Sequence, residues 1–150
     1  MQTWVIGAGG LFGSALVRAS AHPFIGPAIP WSDPARTLDA LRGTADAFAQ
    51  QGADRWCIAW AAGQATTSST PAQTDRELDV FDQFLGYLQA NPPPGQGSLL
   101  ITSSAGGVYA GSSGPPFTSA SIPQPLGSYG HLKLAQEQVA TDRITSMPVV

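Results

Sequence analysis

The amino-acid sequence predicts an α/β fold built on a doubly wound parallel sheet. Short runs that are apolar throughout, such as Trp56–Trp60, are typical of strands that are buried on both faces of a parallel sheet. These runs alternate along the chain with longer segments whose apolar residues recur at helical spacing. The 150 residues fit a single domain over 1–150, because domains commonly hold about 100–200 residues.

The first half of the chain opens with a strand, a glycine turn and a helix. A strand is predicted at Trp4–Ile6, and helical spacing follows the turn over Leu11–Val17. Because prolines at 23, 27 and 30 interrupt the next stretch, only a short strand at Ala28–Trp31 is predicted there. A helix over Thr37–Gln51 and a strand over Trp56–Ala61 complete this half.

The second half continues the alternation. A loop rich in Ser and Thr precedes the longest predicted helix, and a run of three prolines ends that helix. A loop that is rich in Gly and Pro separates the next strand from the last helix. The predicted elements are a helix at Ala72–Ala90, a strand at Leu99–Ile101, a helix at Ser128–Ile144 and the first residues of a strand at Met147–Val150.

The composition excludes several classes of function. Charged residues make up only 11% of the chain, against about 25% in an average domain, and the net charge is −3. No basic surface for nucleic acid is therefore expected. No apolar run reaches the roughly 18 residues of a membrane span. With one cysteine, Cys57, and two histidines, neither a disulfide framework nor a metal site is expected, and a reducing cytoplasm is the expected location.

The glycine turn between the first strand and helix is a candidate site for the pyrophosphate of NAD or NADP. The strict G-x-G-x-x-G pattern fails at position 12, but glycine stands at 7, 10 and 13. Such a turn lets the backbone approach a pyrophosphate, and the helix N-terminus offers free N–H groups and a positive dipole end. An ordinary glycine-rich turn is the alternative. The predicted contacts are Gly7, Gly9, Gly10, Leu11, Phe12 and Gly13.

An acidic residue about 20 residues after the turn is expected to hold the adenosine ribose. Asp33 stands 20 residues after Gly13, and Arg36 is close enough to pair with a 2′-phosphate instead. The choice between NAD and NADP is therefore open. Asp33 also precedes Pro34, and Asp-Pro pairs favour turns, so a turn-forming role is the alternative.

Tyr129 and Lys133 form a candidate acid/base pair. Lys133 is the only lysine, and the other six basic residues are arginines. A spacing of four places both side chains on one helix face, where the ammonium would favour the phenolate and so assist proton transfer. The alternative is a solvated pair on an exposed face.

Two serines follow a predicted strand at the carboxyl edge of the sheet, where open α/β sheets bind ligands. The hydroxyl of Ser103 or Ser104 could hold a substrate oxygen beside Tyr129. The alternative for each is capping of a helix or turn, and at most one of the two is expected to be catalytic. Four carboxylates on the longest helix, Glu77 among them, are assigned to the helix dipole and to a solvated face.

Four features together resemble the extended short-chain dehydrogenase/reductase family, the NAD-dependent epimerase/dehydratase group that acts largely on nucleotide sugars. They are the glycine turn at 7, 10 and 13, the strand end Ala59–Gly63, the run Thr102–Tyr109 and the helical segment Tyr129–Lys133. Their order and spacing match the family along nearly the whole chain.

The resemblance implies a Rossmann-like fold and an oxidoreductase with a Ser-Tyr-Lys site. It implies that Tyr129 is the acid/base, that Lys133 assists it and binds the nicotinamide ribose, and that Ser104 (or Ser103) orients the substrate oxygen. Epimerisation, dehydration and reduction of the sugar are all compatible with it. The implied partners are a nucleotide sugar and a second copy of the chain, the latter through the two helices at Ala72–Ala90 and Ser128–Ile144.

The resemblance also implies that Ala61, Ala62 and Gly63 lie along the cofactor. Two departures from the family accompany it. The segment before Trp56 is too short for the usual third strand, and the chain ends at Val150, where the family's sixth strand begins. The expectation is a nucleotide-binding domain truncated before the family's C-terminal substrate domain, and a non-catalytic NAD(P)-binding module or fragment is the alternative function.

Overall fold

The computed structural model describes all 150 residues of the chain. Strands and helices alternate in the predicted manner. In chain order the elements are β1 (Gln2–Ile6), α1 (Leu11–Ala19), β2 (His22–Phe24), α2 (Pro34–Ala49), β3 (Arg55–Trp60), α3 (Pro71–Ala90), β4 (Gln96–Ile101), α4 (Ala105–Val108) and α5 (Ser128–Arg143).

The four strands form one parallel sheet in the order β2-β1-β3-β4. From β1 the chain passes to β2 on one side, and it then crosses to β3 on the other side. The carboxyl ends of β1 and β3 are therefore neighbours at the point where the strand order reverses, which is where doubly wound sheets bind ligands. The α/β class and the parallel sheet are confirmed.

The last residues of the chain lie beside β4. Val150 N–H donates to Leu99 O at 2.9 Å, and Ile101 N–H donates to Val150 O at 2.9 Å. Leu99 and Val149 form a parallel bridge. The predicted strand start at Met147–Val150 is thus present as a bridge rather than as a full strand.

An aromatic core lies between the sheet and the helices α2, α3 and α5. Trp4 and Trp60 point from β1 and β3 into this layer, and each packs on Phe84 of α3, with ring centroids 5.9 Å and 5.7 Å apart. Phe48 of α2 packs on Trp4 at 5.9 Å. All four rings are at most 2% exposed. This layer fixes the sheet against three helices and leaves its carboxyl edge free to carry a site.

The position of β2 corrects the sequence prediction. The strand occupies His22–Phe24, and the predicted strand at Ala28–Trp31 is not formed. A proline is tolerated in β2 because this strand lies at the edge of the sheet, where a missing N–H need not break a ladder. Trp31 instead packs edge-on against Trp60, with ring centroids 6.0 Å apart.

The remaining differences are small. α2 begins at Pro34 rather than Thr37, with Asp33 as its N-cap, and α4 forms within the predicted loop after β4. None of the helices combines the length and the hydropathy that a membrane crossing requires.

Candidate functional site

The glycine turn brings β1, α1 and the end of β3 into close contact. Gly7 has a φ of +91°, and a Cβ on it would lie 2.5 Å from Ala61 O. A Cβ on Gly13 would collide with Gly7 O, so α1 can pack this closely only with glycine there. Gly10 N–H donates to Gly7 O at 3.0 Å and closes the turn. Two of the three spaced glycines are therefore required by the packing itself.

The N-terminus of α1 is open to solvent. Its N-cap is Gly10, which supplies no side-chain hydrogen bond, and the first turn carries no acidic residue. Leu11 and Phe12 are 96% and 55% exposed, and the position of a Cβ on Gly9 meets no atom within 4 Å. The first N–H groups and the positive dipole end are therefore accessible to an anion.

A cleft of about 420 Å³ lies beside this turn. Gly7–Gly9 line one side and Ile25–Ile29 line the other. Asp33 and Arg36 do not line it. Asp33 instead caps α2 by accepting a hydrogen bond from Arg36 N–H at 3.2 Å. This is the turn-type role that the sequence offers as the alternative, and a ribose contact by Asp33 stays a prediction.

The turn after β3 lies directly against the glycine turn. Ala61 N–H donates to Ile6 O at 2.9 Å, and the backbone of Ala61 and Ala62 is what a Cβ on Gly7 would meet. The next residues, Gln64 and Ala65, donate their N–H groups to Glu77 Oε2. The sequence assigns Glu77 only to the helix dipole, and no local pattern reveals this contact across 12 and 13 residues.

Both candidate serines are engaged within the chain. Ser103 Oγ donates to the carboxylate of Glu137 on α5. Ser104 is the N-cap of α4, and its Oγ accepts a hydrogen bond from Gly107 N–H at 3.3 Å. Because an accepting hydroxyl keeps its own proton, Ser104 can still donate to a further oxygen.

Lys133 is buried, with 6% of its surface exposed. Its Nζ donates to Gln136 Oε1 at 3.0 Å and to Thr102 O at 3.3 Å. Burial lowers the pKa of the Lys133 ammonium, and the negative charge of Glu77 acts in the opposite direction. The predicted alternative of a solvated lysine is wrong.

Tyr129 lies next to this lysine, and Ser104 lies close to Tyr129. Lys133 Nζ is 5.8 Å from the centroid of the Tyr129 ring, so the two side chains share a face of α5. Ser104 Oγ and Tyr129 Cδ1 each lie 3.4 Å from the point where a Cβ on Gly107 would stand, and they are therefore within twice that distance of each other. The close packing of Gly107 on Gly130 brings α4 and α5 together here.

The edge of the sheet thus carries an anion-accessible helix N-terminus, a buried amine, a phenol and a hydroxyl. These groups can bind a phosphate-bearing ligand and move a proton beside it. No group of three or more His, Cys, Asp or Glu side chains is placed to hold a metal ion.

Comparisons with known proteins give a fold and no close relative. No protein-family model matches the chain. No curated protein matches it either.

Solved structures of similar fold are enzymes of sugar metabolism. UDP-glucose 4-epimerase from Brucella ovis in complex with NAD has a TM-score of 0.72 at 18% identity, over 94% of this chain and 47% of that one. UDP-glucuronic acid 4-epimerase from Bacillus cereus, in complex with UDP-glucuronic acid and NAD, has a TM-score of 0.66 at 20% identity, over 100% of this chain and 55% of that one. RMD from Pseudomonas aeruginosa, complexed with NADPH, has a TM-score of 0.66 at 25% identity, over 92% of this chain and 47% of that one.

The chain spans about half the length of these structures. Epimerases, dehydratases and reductases are all represented among the structures that share its fold. The resemblance drawn from the sequence is thereby confirmed at the level of the fold. The chain has a Rossmann-like α/β fold, which it shares with about half the length of these structures.

Proposed function

We propose that this chain binds NAD or NADP and supports hydride transfer to or from a sugar carbon of a nucleotide sugar. One observation supports the proposal most strongly. The glycine turn and the group of Ser104, Tyr129 and Lys133 both lie where the strands of one parallel sheet have their carboxyl ends. A dinucleotide is long enough to extend from one to the other along the ends of β1 and β3.

The residues at this edge fit such a cofactor. The backbone from Gly7 to Gly13 would hold the pyrophosphate, because Gly9 and Gly10 carry no side chain and the N-terminus of α1 has no side-chain cap. Ala61, Ala62 and Gly63 would lie along the nicotinamide half. Lys133 would reach the nicotinamide ribose. Asp33 and Arg36 are the candidates for discriminating NAD from NADP.

The proposed chemistry assigns a role to each side chain. Tyr129 takes the proton from a sugar hydroxyl during oxidation and returns it during reduction. Ser104 donates its hydroxyl proton to the same oxygen, and the Lys133 ammonium lies 5.8 Å from the centroid of the Tyr129 ring, on the same face of α5. The nicotinamide, when bound, supplies the acceptor or donor for the hydride of the adjacent C–H bond. The net reaction is epimerisation, dehydration or reduction.

The proposal also covers the substrate class, the oligomeric state and the compartment. Structures of similar fold include a UDP-sugar epimerase solved with its nucleotide sugar, which supports that substrate class. A homodimer through α3 and α5 is proposed because the resemblance implies it. The one cysteine, Cys57, is a buried free thiol, which suits a reducing compartment such as the cytoplasm.

A non-catalytic NAD(P)-binding module is the second candidate function. Two observations favour it. Lys133 Nζ is already bonded to Gln136 and Thr102, and Ser103 is bonded to Glu137. Such a module would bind the dinucleotide at the glycine turn without moving a hydride.

A titration and one substitution test both candidates. The purified chain is titrated calorimetrically with NAD and, separately, with NADP. Turnover of nucleotide sugars is followed by NMR of the sugar product as well as by the absorbance of the reduced nicotinamide, because epimerisation and dehydration return the hydride and leave no net change in the cofactor. Tyr129→Phe is expected to abolish turnover while leaving cofactor affinity within about twofold, since only the proton-transferring oxygen is removed.

The matched control is Tyr87→Phe. Tyr87 lies on α3, and its hydroxyl bonds only to Asp46 on α2, away from the site. This control should keep full activity. Turnover that survives Tyr129→Phe would remove the proposed mechanism, and saturable binding without any turnover in the unmodified chain would favour the module.

A further inference from the structure

Glu77 on α3 is tied to the turn that follows β3. Its Oε2 accepts hydrogen bonds from Gln64 N–H at 2.8 Å and from Ala65 N–H at 2.9 Å. A Cβ on Gly63 would lie 2.5 Å from Oε1 of the same carboxylate. One carboxylate therefore bonds to two consecutive residues of the turn and packs against the residue before them.

The fixed turn is in contact with the glycine turn. A Cβ on Gly7 would stand 2.5 Å from Ala61 O and 2.8 Å from Ala62 Cα, so the two backbones already touch. A shift of the segment that starts at Gly63 would move the wall against which Gly7 packs. The contacts run without a break from Glu77 to the proposed pyrophosphate site.

The same carboxylate acts on Lys133. Its negative charge raises the pKa of the buried ammonium, against the larger effect of burial. The other groups that face Lys133 Nζ are Thr102 O at the end of β4, Gln136 Oε1 on α5 and the Tyr129 ring. Glu137, one turn after Lys133, is engaged by Ser103. Among the charged groups, Glu77 is the one whose negative charge raises the pKa of Lys133.

We propose that Glu77 is a positioning residue of the cofactor site, which holds the turn after β3 against the glycine turn. The inference rests on the proposed function. Glu77 acts through the backbone of Gln64 and Ala65 rather than by touching the reacting atoms.

A carboxylate is suited to this role because it is ionised. Hydrogen bonds from N–H groups to an ionised oxygen are roughly twice as strong as those between neutral groups. A glutamine at 77 keeps an oxygen acceptor of the same shape but removes the charge, whereas an alanine removes both. Glu77→Gln and Glu77→Ala therefore separate the hydrogen bonds from the charge.

The matched control is Asp79→Asn. Asp79 lies on the same helix two residues further, is exposed, and bonds only to Gln83 Nε2. The substitution removes the same charge without touching the turn. Thermal melting shows that each variant folds. If Glu77→Ala does not fold, Glu77→Gln carries the test.

Two readouts do not need the cofactor. The first is NMR hydrogen exchange at the amides of Gln64 and Ala65, which should accelerate about tenfold in Glu77→Ala. The second is an NMR titration of the lysine side chain labelled with ¹³C, which gives one signal because Lys133 is the only lysine. Glu77→Gln should lower the pKa of Lys133 further, and Asp79→Asn should leave it unchanged.

The third readout is affinity for NAD and NADP by calorimetry. Glu77→Ala should weaken binding about tenfold, and Asp79→Asn should stay within twofold of the unmodified chain. If the unmodified chain binds a cofactor, and Glu77→Ala binds it equally well with the amides still protected, the inference is overturned and the proposed function stands. If the unmodified chain binds neither cofactor, the proposed function and the inference fail together.

Discussion

Lys133 is a buried lysine, although a lysine side chain is normally exposed to solvent. The residue is 6% exposed, and only neutral oxygens bond directly to its ammonium. Burial therefore lowers its pKa below the ordinary 10.5, while in the unfolded chain the ordinary value applies. Between the two values the unfolded chain binds more protons, so the free energy of unfolding rises with pH across that window.

Replacement of this lysine isolates the effect. We expect the free energy of unfolding of the unmodified chain to increase relative to that of Lys133→Met as the pH rises from 7 toward 10.5, because Met does not titrate. Urea unfolding at several pH values measures the difference. Arg36→Met, which removes an exposed cation, should show no such trend. A difference that does not change with pH would mean that Lys133 is solvated.

The glycine turn gives a second prediction at the level of the residue. Gly13→Ala should lower the free energy of unfolding by about 1–3 kcal/mol, because the added Cβ collides with Gly7 O. Gly9→Ala adds the same atom four residues earlier, in open space, and it should change stability by less than about 0.5 kcal/mol. Denaturant melts compare the two. Equal costs would contradict the packing described for α1.

At the level of the element, the sequence predicts what depends on local periodicity. β1, β3, β4 and the long helices follow from apolar spacing and from Gly and Pro breaks, and the structure confirms them. The sequence prediction of β2 is wrong, because Pro23 is acceptable only in an outer strand of a sheet and the sequence does not show which strand is the outer one.

The candidate site is likewise predictable from the sequence only where it depends on local spacing. The spacing of Tyr129 and Lys133 predicts their shared helix face, and the structure shows it. The contact of Glu77 with the turn after β3 and that of Ser103 with Glu137 join residues that are far apart in sequence, so they depend on loop paths. Burial of Lys133 is equally a property of the assembled fold.

Two helices contain a glycine that the packing does not need. Gly43 in α2 and Gly86 in α3 both lie in the helix interior, and a Cβ on either meets no atom within 4 Å. Gly43→Ala and Gly86→Ala should each raise the free energy of unfolding by up to about 1 kcal/mol through helix propensity alone. Chemical denaturation measures the gain. A loss in either variant would contradict the open space at that position.

At the level of the whole molecule, the helix face proposed for self-association is acidic. α3 and α5 pack side by side, and their outer groove is lined mainly by carboxylates. One of them, Asp82, is paired with Arg143 at 2.6 Å. The residues of the groove are Asp75, Leu78, Asp79, Asp82, Val139, Asp142 and Arg143. In a symmetric dimer through this face, like charges would meet across the interface.

Salt should therefore control the proposed dimer. The screening length falls from about 30 Å at 0.01 M salt to about 3 Å at 1 M, so added salt removes the repulsion between the two acidic faces. We expect a monomer at low salt and a growing dimer fraction as salt increases, measured by sedimentation equilibrium. The double variant Asp79→Asn/Asp142→Asn should dimerise at lower salt than the unmodified chain, because it removes two of the repelling charges from each copy. A dimer whose affinity does not respond to salt or to this variant would place the interface on another face of the molecule.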